Sequence, residues 1–154
     1  MSRAALMLTA LSLAACESKP ATSAPGSIES TSFAQSLDVD LKSMTKTGTG
    51  LYYRDVTVGT GPVVAAGQSV AVHYAGALPD GKPFDANGPS DPPFSFHPGQ
   101  GEVISGWDEG VVGMRVGGRR QLVIPPALGY GAAGAGPIPP NAILVFTVEV
   151  VSAQ

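Results

Sequence analysis

The chain has a single cysteine, Cys16, which rules out an intrachain disulfide and a cysteine-cluster metal site. Two histidines, His73 and His97, are too few for an ordinary zinc centre and read as satisfied structural residues. Charge is scarce: Asp, Glu, Lys and Arg make up 14% of the chain, the net charge is −3, and no basic run exceeds Arg119-Arg120. That pattern lacks the electrostatic footprint of a phosphate-backbone grip, so nucleic acid is not an expected partner. There is no Gly-x-Ser-x-Gly elbow, Cys/His pair or P-loop glycine string, which excludes ordinary hydrolase and kinase chemistry. Long apolar runs are lacking too. The stretch 4–15, broken by Thr9 and Ser12, is far short of the roughly 20 residues of a membrane-spanning helix.

That stretch follows Arg3 and ends in Leu13-Ala14-Ala15-Cys16, so residues 1–15 read as a secretory signal peptide. The last four residues resemble the lipobox of bacterial lipoproteins, which implies lipidation of Cys16. The alternative is an ordinary signal peptide cut after a small residue, with Cys16 incidental. On the lipoprotein reading the protein is extracytoplasmic and membrane-anchored, with the periplasmic side of the cell envelope expected. Acyl chains hold such an anchor at about 0.8 kcal/mol per buried methylene. Residues 16–50 read as a Ser/Thr-rich tether, with twelve Ser and Thr and only scattered apolar positions. Within it Phe33, Leu37, Leu41 and Met44 recur at helical spacing and predict a short amphipathic helix over 32–44. Three uses stay open for this segment: docking on the domain, an arm that binds a partner or a second copy, or a disordered spacer.

Residues 51–154 are expected to form the one folded domain. Residues 51–58 and 69–78 are rich in Val, Tyr and Thr and read as strands separated by Gly59-Thr60-Gly61-Pro62. In the second, Val70, Val72 and Tyr74 share the core face and His73 the other. A turn at residues 78–82 leads to Pro83-Phe84-Asp85, and the proline-rich string 87–93 cannot be helical. Phe94-Ser95-Phe96 forms a short strand, and Val103, Ile104, Trp107 and Val111 mark a helix of about two turns. Alternation at Arg120, Leu122 and Ile124, and at Leu144, Phe146, Val148 and Val150, gives two more strands. One helix cannot cover both faces of a parallel sheet, and the connections are too short for crossovers. The expected class is α+β, a five- to six-stranded antiparallel sheet curled around one short helix.

The aromatics fall on separate elements: Tyr74, Phe84, Phe94, Phe96, Trp107, Tyr130 and Phe146. Taken singly each reads as core. Together, with Asp85 beside Phe84 and Tyr130 held in Gly129-Tyr130-Gly131, they read as an apolar pocket with a few polar handles.

Five strings in fixed order carry a resemblance over about residues 51–151: Val72-His73-Tyr74-Ala75-Gly76, Asp80-Gly81-Lys82-Pro83-Phe84-Asp85, Glu102-Val103-Ile104-Ser105-Gly106-Trp107, Leu128-Gly129-Tyr130-Gly131 and Ile138-Pro139-Pro140-Asn141-Ala142. They resemble the FKBP-type peptidyl-prolyl cis-trans isomerases, the macrolide-binding immunophilins. The resemblance implies a half-barrel sheet wrapped on a helix, with a proline-binding pocket between them. It places Trp107 at the pocket floor and Tyr74, Phe84, Phe94, Val103, Ile104, Ile138 and Phe146 in its walls, with Asp85 and Tyr130 on a polar rim. The Ile104 N–H and the Tyr130 hydroxyl would donate to bound ligand. Phe84, Asp85 and Tyr130 are the expected catalytic residues, Asp85 acting either on the substrate carbonyl or as a structural carboxylate that accepts turn amides. Expected partners are proline-containing polypeptides of exported proteins and macrolide inhibitors, with no cofactor and no metal. The implied reaction needs neither, because an X–Pro bond rotates over about 18–20 kcal/mol without any bond being made or broken. A non-catalytic proline-peptide-binding module or chaperone of the cell envelope, and a purely structural envelope lipoprotein, are the competing readings. Two departures from the family pattern stand out. The loop after Asp85 carries no arginine, and the stretch 131–138 is about one residue short, with Ala135 and Pro137 where bulkier residues are common.

Overall fold

The computed structural model describes residues 27–154. Residues 1–15, expected to be a signal peptide, Cys16 and the start of the expected tether lie outside the described residues. Seven strands form one antiparallel sheet: β1 (Thr45–Lys46), β2 (Tyr52–Thr57), β3 (Val70–Ala77), β4 (Pro83–Asn87), β5 (Phe94–Phe96), β6 (Arg119–Ile124) and β7 (Leu144–Ala153). Their order is β1-β2-β6-β7-β3-β4, with β5 also pairing β3. The one α-helix among the described residues, α1, spans Ser105–Gly110. The α+β class and the antiparallel sheet are therefore as expected. The additional strand is β1, contributed by the segment assigned to the tether. Strand order leaves two free ends, so the sheet is open; the pairing does not establish a half-barrel wrap.

Period-2 alternation sorts the side chains between the two faces. Val70 and Val72 of β3, Leu122 and Ile124 of β6, and Phe146, Val148 and Val150 of β7 build the main core with Leu51, Val64, Phe96, Trp107, Val111 and Met114. The helix lies very close to the sheet because it has glycine where it touches. A Cβ on Gly106 would stand 2.6 Å from the Ile124 side chain, and one on Gly110 2.8 Å from Leu122. Arg120 is buried yet charged, and each of its three guanidinium nitrogens donates: Nε and Nη2 to Asp55 and Nη1 to the Gly110 carbonyl at 3.0 Å, with the group lying over the Tyr53 ring. This cation thus ties the end of α1 to the sheet.

The strands β2 and β3 follow one another in sequence but are not neighbours in the sheet, and residues 58–69 join them. Residues 58–64 instead pack along 113–118, where Gly61 N–H donates to the Val116 carbonyl and Val64 N–H to that of Met114. Gly59 permits this approach, since a Cβ there would lie 2.3 Å from the Val116 carbonyl oxygen.

The helix expected over 32–44 does not form. The segment is irregular, with single 3-10 turns at Ile28–Ser30 and Gln35–Leu37, Asp38 in the left-handed region at φ 48° and a further turn over 41–43. Its apolar side chains bury themselves individually against the back of the sheet: Ile28 and Met44, with Phe33, Leu37, Val39 and Leu41, pack on Tyr52, Val123, Ile143 and Val145. A strap over a flat apolar face satisfies i, i+4 spacing as well as a helix does. Its backbone polar groups find partners in the domain, as Ala34 N–H donates to the Pro79 carbonyl, and the Leu37 and Asp38 carbonyls accept from Gln121 and Arg54. Docking on the domain is therefore what residues 28–44 do.

Candidate functional site

On the face of the sheet that carries α1, opposite the strap, lies a cavity of about 560 Å³. Its lining joins every pocket residue expected from the sequence: Tyr74, Phe84, Asp85, Phe94, Val103, Ile104, Trp107, Tyr130, Ile138 and Phe146. They come from β3, β4, β5, α1, β7 and the loops before α1 and after β6, so only the folded sheet brings them together. Sequence reasoning missed Glu102, Ala135, Gly136 and Pro137 as lining residues. Glu102 and Pro137 adjoin the expected Val103 and Ile138, and Ala135 and Gly136 lie in the same 131–138 stretch, which was the available signal.

The floor is an aromatic lattice. Trp107, 4% exposed, meets Tyr74 at 5.0 Å and Phe146 at 5.2 Å between ring centroids, both edge-to-face, and Phe96 sits behind it at 5.5 Å. Phe84 packs edge-on against Phe146 at 5.3 Å. These are the geometries that aromatic quadrupoles favour. Gly76 makes room for the last pair: a Cβ there would lie 2.6 Å from Phe146 and 2.7 Å from Phe84. Phe94 and Tyr130, 41% and 40% exposed, mark the mouth.

The polar groups are few. Asp85 accepts a hydrogen bond from the Tyr74 hydroxyl at 2.8 Å, while Asp80 accepts from Lys82 N–H in the turn ahead of β4. With no arginine in the loop, a neutral phenol is the partner of Asp85. Burial pushes the Tyr74 phenol up to about 12, with Asp85 and then Tyr130 adding to the shift. The Ile104 carbonyl caps the start of α1 by accepting from Trp107 and Asp108, while its N–H donates to no acceptor among the described residues. Asp108 accepts from the Gly99 and Gly101 amides and so fixes the loop leading to Glu102. The far wall is a tight turn in which Ala135 and Ile138 exchange backbone hydrogen bonds, with Gly134 at φ +64°. His73 contacts Asn87 and His97 contacts Glu102, which leaves neither histidine in a catalytic position.

Comparison with known proteins gives this arrangement its class. Residues 61–151 match the family described as FKBP-type peptidyl-prolyl cis-trans isomerase. The chain is 50% identical over 105 residues to an FK506-binding protein of Streptomyces anulatus, covering 66% of this chain and 85% of that protein. It is 53% identical over 104 residues to FK506-binding protein 4 of Dictyostelium discoideum, covering 67% of this chain but only 28% of that longer protein. The crystal structure of FkpA from Escherichia coli superposes with a TM-score of 0.67 at 42% identity, over 73% of this chain and 52% of that one. The chain belongs to the FKBP-type peptidyl-prolyl cis-trans isomerase family.

Proposed function

We propose that the protein accelerates cis-trans rotation about X–Pro bonds of exported polypeptides, and that it does so tethered to a membrane through a lipidated Cys16. The observation that carries the catalytic half is the cavity floored by Trp107, where apolar walls leave only a few polar groups to hold a peptide. Twisting the imide breaks its resonance and weakens the charge separation between carbonyl oxygen and nitrogen. An apolar hollow therefore favours the twisted state over the planar one relative to water. A rate gain of roughly 10⁴ to 10⁶ asks for about 5–8 kcal/mol of such differential stabilisation. In this reading the prolyl ring rests on Trp107 between Tyr74, Phe84, Phe94, Val103, Ile138 and Phe146. The Ile104 N–H and the Tyr130 hydroxyl hold the peptide on either side of the turning bond. Asp85, kept in place by Tyr74, acts on the substrate carbonyl, and Phe84 packs the ring. The same hollow accepts a macrolide of the FK506 type, by analogy with the names of the relatives.

NMR exchange spectroscopy on an X–Pro peptide tests the first half. Exchange faster than in buffer, abolished by a macrolide competitor, is expected, and binding without faster exchange would replace the enzyme with a non-catalytic module. The tether rests on the 1–16 pattern alone. Labelling with a clickable fatty acid is expected to mark the wild-type chain and leave Cys16→Ser unmarked; equal labelling or none removes the lipid anchor.

A further inference from the structure

The charges around the cavity bear on which prolyl chains enter it, given the isomerase reading. Two charged side chains line it, Asp85 of β4 and Glu102 just ahead of α1, and both are carboxylates; no Lys, Arg or His is among the lining residues. The imbalance runs through the segments that build the site. Between Lys82 and Arg115 stand Asp85, Asp91, Glu102, Asp108 and Glu109 with no Lys or Arg, and residues 121–148 carry no charge at all.

The partners of these carboxylates do not cancel their charge. Asp91 accepts from the Gly88 amide, Asp108 from the Gly99 and Gly101 amides, Glu109 from the Thr49 hydroxyl and Asp85 from the Tyr74 hydroxyl. All are neutral donors. Glu102 accepts from the His97 amide at 2.9 Å and lies 3.0 Å from its Nδ1, which fixes the carboxylate and leaves it uncancelled while the imidazole is neutral. The same two contacts, the amide first, hold its carboxyl below the usual carboxylate range. With a side chain 47% exposed, Glu102 stands at the rim, two residues from the Ile104 N–H that the isomerase reading assigns to the bound peptide.

We infer that the cavity selects prolyl segments with Lys or Arg beside the proline over those with Asp or Glu, and that Glu102 is the specificity-determining residue. Attraction between partly exposed charges is modest and falls with salt. Because a cationic residue is drawn in and an anionic one repelled, the two effects compound to about a tenfold preference at low ionic strength.

The test uses the full chain and three peptides that differ only in Lys, Leu or Glu before the proline. It is run near pH 8, where imidazoles are neutral. Rates come from NMR exchange, which avoids the charge preference of a coupling protease. Affinities come from the fluorescence of Trp107, the one tryptophan of the chain and the cavity floor. The expected kcat/KM of the Lys peptide exceeds that of the Glu peptide about tenfold, with the Leu peptide as the reference for isomerase activity itself. The difference should sit in KM and shrink toward unity at about 0.5 M salt. In Glu102→Gln, which keeps an acceptor for the His97 amide, the Lys-to-Glu ratio is expected to fall about threefold. Taking the ratio within each variant removes any change in overall activity. A wild-type ratio near one, or the same ratio in Glu102→Gln, overturns the assignment. If even the Leu peptide gains no rate, the isomerase reading fails on its own, and the order of the three affinities still decides the preference.

Discussion

Tyr74 links the floor of the cavity to its rim, meeting Trp107 edge-to-face with its ring and donating a hydrogen bond to Asp85. Its ionisation is pushed up to about 12, by burial first and by the carboxylate second. A phenol that ionises less readily when folded contributes stability that is complete below about pH 10 and is lost as pH rises through about 12. Ultraviolet titration is expected to show a tyrosine ionising near 12 whose midpoint drops in Asp85→Asn; an unmoved midpoint would separate the two residues. Tyr130→Phe removes one rim hydroxyl and should weaken peptide binding by about 0.5–1.5 kcal/mol with the fold intact, and an unchanged Kd takes Tyr130 out of the site. Gly76→Ala forces a methyl group into Phe84 and Phe146, so chemical denaturation should record a loss of about 1–3 kcal/mol together with weaker binding. Stability equal to wild type would mean that the two rings are free to move.

Among the elements, the strap is where the sequence was hardest to read. The strands were legible because period-2 alternation is a local signal: Val70, Val72 and Tyr74 declare a face whatever lies opposite. The spacing of Phe33, Leu37, Leu41 and Met44 has no such single meaning. What decides it is the apolar back face of Tyr52, Val123 and Val145, which exists only once β2, β6 and β7 are in register. Glu102 was passed over for a related reason: a carboxylate next to a hydrophobic run reads as solvated until the folded cavity shows what it borders. The strap is pinned near its start by Glu29, which accepts from Lys46 and from the Tyr52 hydroxyl. The Lys46 ammonium above all, helped by the hydroxyls of Ser27 and Tyr52, holds the Glu29 carboxyl well below the usual carboxylate range. A lowered carboxyl contributes stability that is present above its unfolded value of about 4.3 and lost as pH falls beneath it. Hydrogen exchange in residues 28–44 should therefore quicken below about pH 4 while β3, β6 and β7 stay protected. Glu29→Gln should flatten that dependence, and a strap whose exchange ignores pH in the wild type would discount the Glu29 contact.

For the molecule as a whole, one indole serves both stability and binding. Trp107 is buried in the main core and also floors the cavity, so Trp107→Ala should cost about 3–5 kcal/mol in chemical denaturation and abolish peptide binding at once. A variant that kept full stability would show the ring to be held for the ligand alone. The two faces of the sheet divide their duties: cavity and α1 in front, strap behind. That division makes the sheet a partition. A load laid on the strap side, against Ile28 or Met44, meets side chains that take no part in lining the aperture, so the back can be altered while what the aperture admits stays the same.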